Sequence, residues 1–409
     1  MRISTSQIYS ANITSLNNIQ VQIANTTLQM ATGQRILNPA DDPVGAARAT
    51  EITQSDSTNT QYSTNRTAAV NTLSLSQGVL ESVTALLQDV QTTALTAGNG
   101  SLSDTSRKSL ATEIQGRLQD LLALANSTDG AGSYLYSGAQ GGVKPFIDTA
   151  VGVVGGVVYQ GDDVQRKVQV AASRQISSTD SGADIFVRIR NGNGTFQTAP
   201  VASNTGSGVI SQGAVTDPAS ATGHNYQIAF TVAPPTTYTV TDVTTGLAVA
   251  GMSNVPYVSG QAISFEGIQF DIKGTPANGD TFTVAPSSNQ SVFDTLTKLV
   301  NTLNTTVPPG DAAAAARFAQ GLSDAFGALN QDLNAVLGVR ATTGSRLNEL
   351  DALQVTGDQM GLQLKSTLSK IQDTDYTKAM TDLTQQKLIL QAAQQSFAQV
   401  SKLSLFNYL

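Results

Sequence analysis

The feature that most restricts the fold is an N-terminal segment without charge. From Ile3 to Gln34 the sequence contains no Asp, Glu, Lys or Arg, yet apolar residues recur at every seventh position. These positions are Tyr9, Leu16, Ile23, Met30 and Leu37, with Ile13 and Ile19 beside them. A sevenfold spacing places side chains on one face of an α-helix, so this segment is predicted to be a helix with an apolar stripe.

The C-terminal segment repeats the pattern. Tyr376, Leu383, Leu390 and Phe397 are seven residues apart, Ala379, Ala393 and Val400 follow three positions later, and only Lys402 is charged after Lys387. One interpretation is that each stripe is the core face of an ordinary amphipathic helix. The opposite faces argue against it, because they carry Gln, Asn, Ser and Thr instead of the Glu and Lys of a solvated helix. We therefore expect both ends to pack among identical neighbours, through Leu16, Ile23, Met30, Leu37, Leu383, Leu390, Phe397, Val400 and Leu403.

Composition narrows the classes of partner. The 409 residues suggest two or three domains, since a domain usually has about 150 residues. Only 13% of the residues are charged and 5% are aromatic, so the surface must consist largely of uncharged polar side chains. The net charge of −7 and the lack of basic runs argue against nucleic acid or an anionic membrane as partner. Without cysteine, the chain can form no disulfide, and it has no thiolate that could act as a nucleophile or as a metal ligand.

Neither a cleaved signal peptide nor a membrane span is expected. The segment Met1–Ser10 has no apolar run before a small-residue cleavage site, and no stretch of about 18 apolar residues occurs elsewhere. If the protein is exported, we expect another route.

Helix boundaries are predicted from capping residues and prolines. Pro39 and Pro43 interrupt the helical pattern after Gly33, and Asp42 before Pro43 is a suitable N-cap followed by a suitable first helical residue. Helices are predicted from there to about Ala97, from Ser103 or Asp104 to about Asn126, from Ser291 to a break at Pro308-Pro309-Gly310, and from an Asp311 cap towards Ile371.

Glycine-rich and alternating segments predict β-structure in the middle of the chain. Val151–Tyr159 is expected to form two strands joined at Gly155-Gly156, with positive φ at both glycines, and Arg166–Val170 is expected to pair with this hairpin. Alternation then predicts an all-β insertion between about Asn191 and Ser288, with strands at Tyr226–Val232, Tyr238–Val243, Ile268–Ile272 and Thr281–Val284. The predicted fold class is mainly α with an inserted all-β domain.

Candidate catalytic, cofactor and metal residues are scarce, and we assign none. His224 is the single histidine and is expected to lie on the surface, since no second imidazole and no cysteine could complete a zinc cluster or a triad of ordinary kind. The pairs Asp41-Asp42 and Asp162-Asp163 are explained by helix capping and by a turn after a strand. The glycines of Gly130–Gly138 do not have the spacing of a dinucleotide or phosphate loop. We therefore expect no enzyme and no cofactor.

Several motifs carry a resemblance to a known family. The start Met1–Tyr9, Gly33-Gln-Arg35-Ile with Asp41-Asp42-Pro43 after it, Asp375-Tyr376 and the end Ser404–Leu409 resemble the hook-filament junction (hook-associated protein 3) family of the flagellin superfamily. The stretch Tyr159-Gln-Gly-Asp162, followed by Arg166 and Val168, resembles a segment typical of the junction family. Asn407 stands where many members have Asp.

The resemblance implies a layered, flagellin-like fold with paired terminal helices. Residues 1–40 with 375–409 would form an inner tube, 41–190 with 289–374 a helical body with a β-hairpin, and 191–288 a β-rich outer domain. It implies a structural subunit of the extracellular flagellum that forms a helical ring with itself. Its further partners would be a hook-associated protein on the hook side, flagellin on the filament side, and a cytoplasmic chaperone that holds the C-terminal segment before type III export.

Three other classes of function are alternatives to this one. Flagellin itself belongs to the same superfamily but occupies another position in the organelle. A secreted carbohydrate-binding or hydrolytic protein would place its function in the β-insertion. A coiled-coil signalling protein would need a transmembrane segment or long charged heptads, which this sequence lacks.

Overall fold

The structure, a computed structural model, describes residues 5–150 and 152–402. Helices occupy more of these residues than strands do. The helices are α1 (Thr5–Thr32), α2 (Pro43–Ala97), α3 (Asp104–Ala125), α4 (Gly182–Phe186), α5 (Val292–Asn304), α6 (Ala312–Gln372) and α7 (Tyr376–Lys402). The mainly α class with a β-rich middle is confirmed.

The helix boundaries follow the predicted capping residues. Asp42 Oδ1 accepts a hydrogen bond from Gly45 N (2.8 Å) at the start of α2. The hydroxyl of Ser103 caps α3, and that of Ser291 caps α5 by accepting from Asp294 N at 3.0 Å. Asp311 Oδ1 accepts from Ala314 N (2.8 Å) at the start of α6. These bonds satisfy N–H groups that have no partner inside the helix, which is why the caps mark the boundaries.

The strands are short and lie between α3 and α5. They are β1 (Phe146–Asp148), β2 (Val157–Tyr159), β3 (Lys167–Ala171), β4 (Arg174–Ser177), β5 (Ile189–Arg190), β6 (Phe196–Pro200), β7 (Val209–Ile210), β8 (Ala214–Val215), β9 (Tyr226–Thr231), β10 (Thr237–Asp242), β11 (Leu247–Ala248), β12 (Val255–Pro256), β13 (Ala262–Phe265), β14 (Ile268–Lys273), β15 (Thr281–Pro286) and β16 (Asn289–Gln290).

The described residues form two compact units, with the boundary inside α2 and α6. The terminal unit contains residues up to Thr64 and from Ala352 onwards, and the central unit contains Asn65–Asp351. Within the terminal unit, α1 packs antiparallel against α7: Tyr9 lies beside Phe397, and Thr26 lies beside Gln386.

The central unit has a helical core with an aromatic centre. Leucines, valines and alanines of α2, α3, α5 and α6 are buried together with the loop that carries β1 and α4. Phe146 lies at the middle, with ring centroids 5.2 Å from Phe293 and 5.5 Å from Phe186. The β-insertion follows α4 in sequence and has a second core of its own.

The insertion consists of two main antiparallel sheets. One has the order β11-β10-β9-β15-β6, with β12 also on β10; the other has the order β13-β14-β7, with β8 also on β14. In β9 every second residue from Tyr226 to Phe230 is buried, as alternation predicts for a strand with one face in the core. The strands predicted near 226–232, 238–243, 268–272 and 281–284 are confirmed as β9, β10, β14 and β15.

A hydrogen-bonded neck and a glutamine attach the insertion to the helices. In the neck, Ser287 Oγ donates to Asn191 O (2.8 Å), and Ser288 N donates to Asn191 Oδ1 (2.9 Å). On α6 the buried amide of Gln320 pairs with both main-chain groups of Ile210 in β7, accepting from its N–H at 2.8 Å and donating to its carbonyl at 3.0 Å. The side chain thus takes the place of a neighbouring strand.

Two details of the β-prediction are wrong. The strand that pairs with β2 is β1, with Phe146 opposite Tyr159, so the described residues 149–150 and 152–156 belong to the connection instead of a strand. Only Gly155 of the two glycines has positive φ (+79°). The strand near Arg166–Val170 pairs with β4 and not with the hairpin. A two-residue turn with positive φ at both positions occurs instead at Glu266-Gly267, between β13 and β14.

One detail of the helical prediction is also wrong. Leu37 does not continue the apolar stripe of α1, because that helix ends at Thr32 and Gly33 adopts φ of +72°. A glycine in this left-handed conformation is a common helix terminator. Leu37 lies in the following loop, where its N–H donates to Asp41 Oδ2 at 3.1 Å.

Candidate assembly site

The apolar stripes predicted from the sequence form the seam between α1 and α7. Leu16, Ile23 and Met30 of α1 and Leu383, Leu390 and Phe397 of α7 are all half-buried in the single chain. The buried residues Thr26 and Ala379 lie at the intervening positions of the two stripes. Alternating steps of three and four residues give each helix the stripe of a two-stranded coiled coil. Val400 belongs to α7, and Leu403 lies outside the described residues.

Direct contacts fix the register of this pair. The rings of Tyr9 and Phe397 have centroids 5.1 Å apart and are tilted by 45°. Thr26 Oγ1 bonds to Gln386 Oε1 at 3.2 Å, near the other end of the pair. The first contact is apolar and the second is a polar bond at a largely buried position, so the seam has one preferred alignment.

A second set of apolar residues on the same helices stays exposed. Val21 and Leu388 are 58% and 66% exposed, and they share this exposure with Ile13, Leu28, Tyr376, Met380 and Ile389. The sevenfold spacing of the seam includes Tyr376, which is nevertheless 56% exposed, but none of the other six. The sequence does contain a second sevenfold pair, because Val21 and Leu28 are themselves seven residues apart. Apolar side chains in this number on one helix pair indicate a surface that another molecule covers.

The family motifs come together at one corner of the terminal unit. Residues 33–42 join α1 to α2, and residues 373–375 join α6 to α7. Gln34 and Asp373 form an isolated antiparallel bridge, and Thr374 N donates to Gly33 O at 2.9 Å. A Cβ on Gly33 would lie 3.3 Å from Tyr376 Oη, so this glycine meets both a conformational and a steric requirement.

Arg35 connects the two sides of the corner. Its N–H donates to Gln372 O (2.6 Å), and its guanidinium donates to Ile371 O through Nη2 at 2.9 Å and Nε at 3.3 Å. Nη2 also lies 3.1 Å from Asp42 Oδ2. These carbonyls belong to the last turn of α6 and have no partner within that helix, so the cation satisfies helix-end acceptors.

The two aspartates of the corner divide two tasks. Asp41 Oδ2 accepts from Leu37 N (3.1 Å) and Asn38 N (2.8 Å), which closes the loop. Asp42 caps α2, and the hydrogen bond from Gly45 N lowers the pKa of its carboxyl, as does the bond from Arg35, while partial burial acts in the opposite direction. The prediction that helix capping explains this acidic pair is confirmed for Asp42, whereas Asp41 closes the loop before the helix.

The remaining motif residues start the last helix. Asp375 Oδ1 accepts from Thr377 N (2.9 Å) and Lys378 N (3.1 Å), so Asp375 caps α7. Pro43 is the first residue of α2, where a missing N–H costs nothing. Gly33, Arg35, Asp41, Asp42, Pro43, Asp375 and Tyr376 therefore all belong to one structure, the turn that sets how each terminal helix meets its neighbour along the chain.

The second motif stretch forms a hydrogen-bonded loop in the central unit. Tyr159 Oη donates to Asp162 O at 2.8 Å and lies 3.0 Å from Tyr136 O. Burial raises the pKa of this phenol above its ordinary value. Asp162 Oδ1 accepts from Val164 N and Ala139 N at 3.0 and 2.8 Å, which is the turn predicted for this acidic pair.

The described residues hold no arrangement typical of a metal centre. Within 5–150 and 152–402, no group of three or more His, Asp or Glu side chains could hold a metal ion. His224 lies in the loop before β9, partly exposed, with Nδ1 2.8 Å from Asp242 Oδ2. The same ranges contain no helix with the length and hydropathy that crossing a membrane requires.

Comparison with known proteins agrees with this geometry. Residues 3–141 match the bacterial flagellin N-terminal helical region, and residues 326–409 match the bacterial flagellin C-terminal helical region. Residues 200–286, within the insertion, match the D2-like domain of flagellar hook-associated protein 1.

Solved structures decide between branches of this superfamily. The flagellar hook-associated protein 3 of Legionella pneumophila is 30% identical, with a TM-score of 0.73 over 78% of this chain and 98% of that chain. FlgL of Xanthomonas campestris is 31% identical, with a TM-score of 0.70 over 78% of this chain and 99% of that chain. The chain belongs to the flagellar hook-associated protein 3 (FlgL) family.

Full-length similarity distinguishes this hook-associated protein 3 family member from flagellins. Hook-associated protein 3 of Escherichia coli strain K12 is 29% identical over 411 residues, which cover all of this chain and 99% of that protein. The phase 1 flagellin of Salmonella naestved matches over only 126 residues, or 31% of this chain and 25% of that flagellin. The chain is thus a flagellar structural protein of the junction family, as the terminal motifs predict.

Proposed function

We propose that this chain is the structural subunit that joins the hook-associated region of the bacterial flagellum to the filament. Full-length similarity to hook-associated protein 3 is the observation that carries the proposal, because similarity to a flagellin is limited to about a third of the chain. The helix pair α1–α7 supports it physically, since this pair exposes apolar side chains to water. Exposure of this kind is unfavourable in a monomer and is typical of a surface that another subunit covers.

Assembly is proposed to proceed through the two terminal helices. Leu16, Ile23, Met30, Leu383, Leu390, Phe397, Val400 and Leu403 would hold α1 and α7 together, with Leu37 in the adjoining loop. Exposed residues such as Val21 and Leu388 would then contact the next copy in a helical ring. The uncharged polar faces favour this arrangement, because burial of Ser, Thr, Asn and Gln between copies costs less free energy than burial of unpaired charges.

The proposed partners follow from the position at a junction. Besides copies of itself, the subunit would contact a hook-associated protein on the hook side and flagellin on the filament side. A cytoplasmic chaperone would hold the C-terminal segment before type III export to the extracellular flagellum. The exposed apolar residues of α7 support a chaperone, since they would otherwise favour premature association.

We also propose that the chain is divided into three layers of the assembled flagellum. Residues 1–40 with 375–409 would form the inner tube, 41–190 with 289–374 the helical body, and 191–288 the outer domain. The separate hydrophobic core of the insertion supports its assignment as a domain. We propose no catalytic role, because the polar groups that line the corner are used in capping and loop closure.

Complementation of a strain that lacks its own hook-associated protein 3 tests the proposal. Expression of this chain is expected to restore swimming and to retain filaments on hooks in electron micrographs. Immunogold labelling is expected at the base of the filament. Gold along the whole filament would assign the chain to the flagellins instead, and filaments released into the medium would contradict a junction role.

A further inference from the structure

A polar cavity lies where the insertion meets the helices of the central unit. It has a volume of about 360 Å³ and is lined by Asn191 and Gln212 of the insertion, Lys298 and Thr295 of α5, and Asp324 of α6. This volume is at the lower end of the range of small-molecule sites, about 300–1,000 Å³. Neither the junction role nor the family comparison assigns it a ligand.

The inner wall of the cavity presents hydrogen-bond acceptors. Asp324 Oδ1 accepts from Gln320 Nε2 at 2.8 Å, and Gln320 is itself held by both main-chain groups of Ile210. Gln212 Nε2 donates to Ser323 O at 3.4 Å, which leaves the amide oxygen of Gln212 as an acceptor. The carboxyl of Asp324 is therefore held in place on a wall that attracts donors.

A second carboxyl lies behind this wall. Thr295, which lines the cavity, lies beside the carboxyl of Asp332. Asp332 is fully buried, and its Oδ2 has no hydrogen-bond partner within the described part of the chain. Burial favours the protonated, neutral form of Asp332, so the negative charge on the wall of the cavity is that of Asp324, and this carboxylate favours a cation.

The rim of the cavity presents the opposite charge. Lys298 is exposed, and its Nζ donates to Gln290 Oε1 at 2.8 Å. Lys298 and Asp324 thus each bond to a neutral amide and not to one another. An ammonium group carries three donors, so two remain for a ligand at the rim. The cavity therefore has a carboxylate, that of Asp324, on its wall and an ammonium group, that of Lys298, at its mouth.

We propose that this cavity binds a small zwitterion of the α-amino-acid type, with its ammonium group at Asp324 and its carboxylate at Lys298. Ala325 and Ala328 also line the cavity and provide small apolar contacts. A short aliphatic side chain fits this lining better than a charged or aromatic one. The site would make the contact between insertion and helices sensitive to a solute outside the cell.

Calorimetry on the full-length monomer tests this site with L-alanine as the probe. Saturable binding is expected, and ethylamine and propionate, which each lack one of the two charged groups, should bind at least about tenfold more weakly. Lys298→Met and Asp324→Asn should each weaken alanine binding by a similar factor. Lys273→Met and Asp89→Asn, which change exposed charges elsewhere in the central unit, are the matched controls and should bind alanine like the unmodified chain.

Three results would overturn the proposal. They are no saturable heat with alanine, propionate binding as tightly as alanine, and full alanine affinity in Lys298→Met. Lys298 lies at the rim, so its replacement leaves the packed wall intact and keeps the test valid even if Asp324→Asn unfolds. Thermal unfolding of each variant verifies that the central unit is folded.

Discussion

The guanidinium of Arg35 donates two hydrogen bonds to the main-chain carbonyl of Ile371, at 2.9 and 3.3 Å. The two residues are 336 positions apart in sequence, so this contact ties the loop after the first helix to the end of α6. It provides the first of four predictions, three about the terminal unit and one about the central unit.

Replacement of Arg35 by Met should loosen the corner. The carbonyl of Ile371 loses a charged donor and Asp42 loses its ion pair, and because the arginine side chain is half exposed we expect a local loss of about 1 kcal/mol. Hydrogen exchange of the amides in 33–38 and 371–376 should become faster. Arg48→Met, an exposed change on α2, is the control, and equal exchange in the two variants would contradict a role for Arg35.

Replacement of Gly33 by Ala should destabilise the same corner by about 1–2 kcal/mol. The alanine backbone must adopt φ near +72°, which residues with a side chain rarely do, and its Cβ would lie 3.3 Å from Tyr376 Oη. Gly78→Ala is the matched control, because Gly78 lies inside α2 with open space around its Cα, and there alanine should stabilise by about 0.5–1 kcal/mol. Hydrogen-exchange rates of the amides in each helix, measured by mass spectrometry, separate the two effects. If Gly33→Ala left the stability of the corner unchanged, the turn would tolerate a side chain.

Two leucines of α7 should have different roles. Leu390→Asp places a charge in the half-buried seam and is expected to reduce helicity in the monomer and to abolish assembly and swimming. Leu388→Asp changes an exposed residue, so monomer helicity should be retained while assembly is lost. Circular dichroism of the monomer and swimming of complemented cells distinguish them, with Lys387→Gln as the neutral neighbour. Normal motility with Leu390→Asp would refute the role of the seam.

Replacement of Asp332 by Asn should change the dependence of stability on pH. Burial raises the pKa of this carboxyl from 3.8 to about 7, while Thr295 and the charge of Lys298 act in the opposite direction. Between these two values the native state binds more protons than the unfolded state, so this group's contribution to stability is full below pH 3.8 and falls as pH rises to 7.

The variant should remove this part of the pH dependence. Asn cannot ionise, so above pH 7 Asp332→Asn is expected to be more stable than the unmodified chain by about 1–3 kcal/mol. Urea unfolding at pH 5 and pH 8 measures the difference, and Asp351→Asn, an exposed change on α6, is the control. The same loss between pH 5 and pH 8 with and without Asp332 would show that another group causes it. Asp324, also on α6 and with a pKa raised by burial to about 6, is the neighbouring group to test next.

The sequence by itself determined the helices, their ends and the family. Capping by Asp42, Ser103, Ser291 and Asp311 depends on residues within three positions of each cap, so local chemistry is sufficient to predict it. The sevenfold apolar spacing likewise identified the faces of α1 and α7 that meet. The motifs around Gly33 and Tyr376 indicated the family, although nothing local shows that they form one corner.

Tertiary structure decided which segments pair and which apolar residues remain exposed. The partner of β2 is β1 and not the valines beside it, because strand pairing depends on packing of Phe146 in a core built from distant helices. Leu388 and Leu390 have the same chemistry, and only the position of α1 makes one exposed and the other half-buried. The cavity at Asp324 also depends on non-local contacts, since its walls come from segments more than 100 residues apart, joined by the pairing of Gln320 with Ile210.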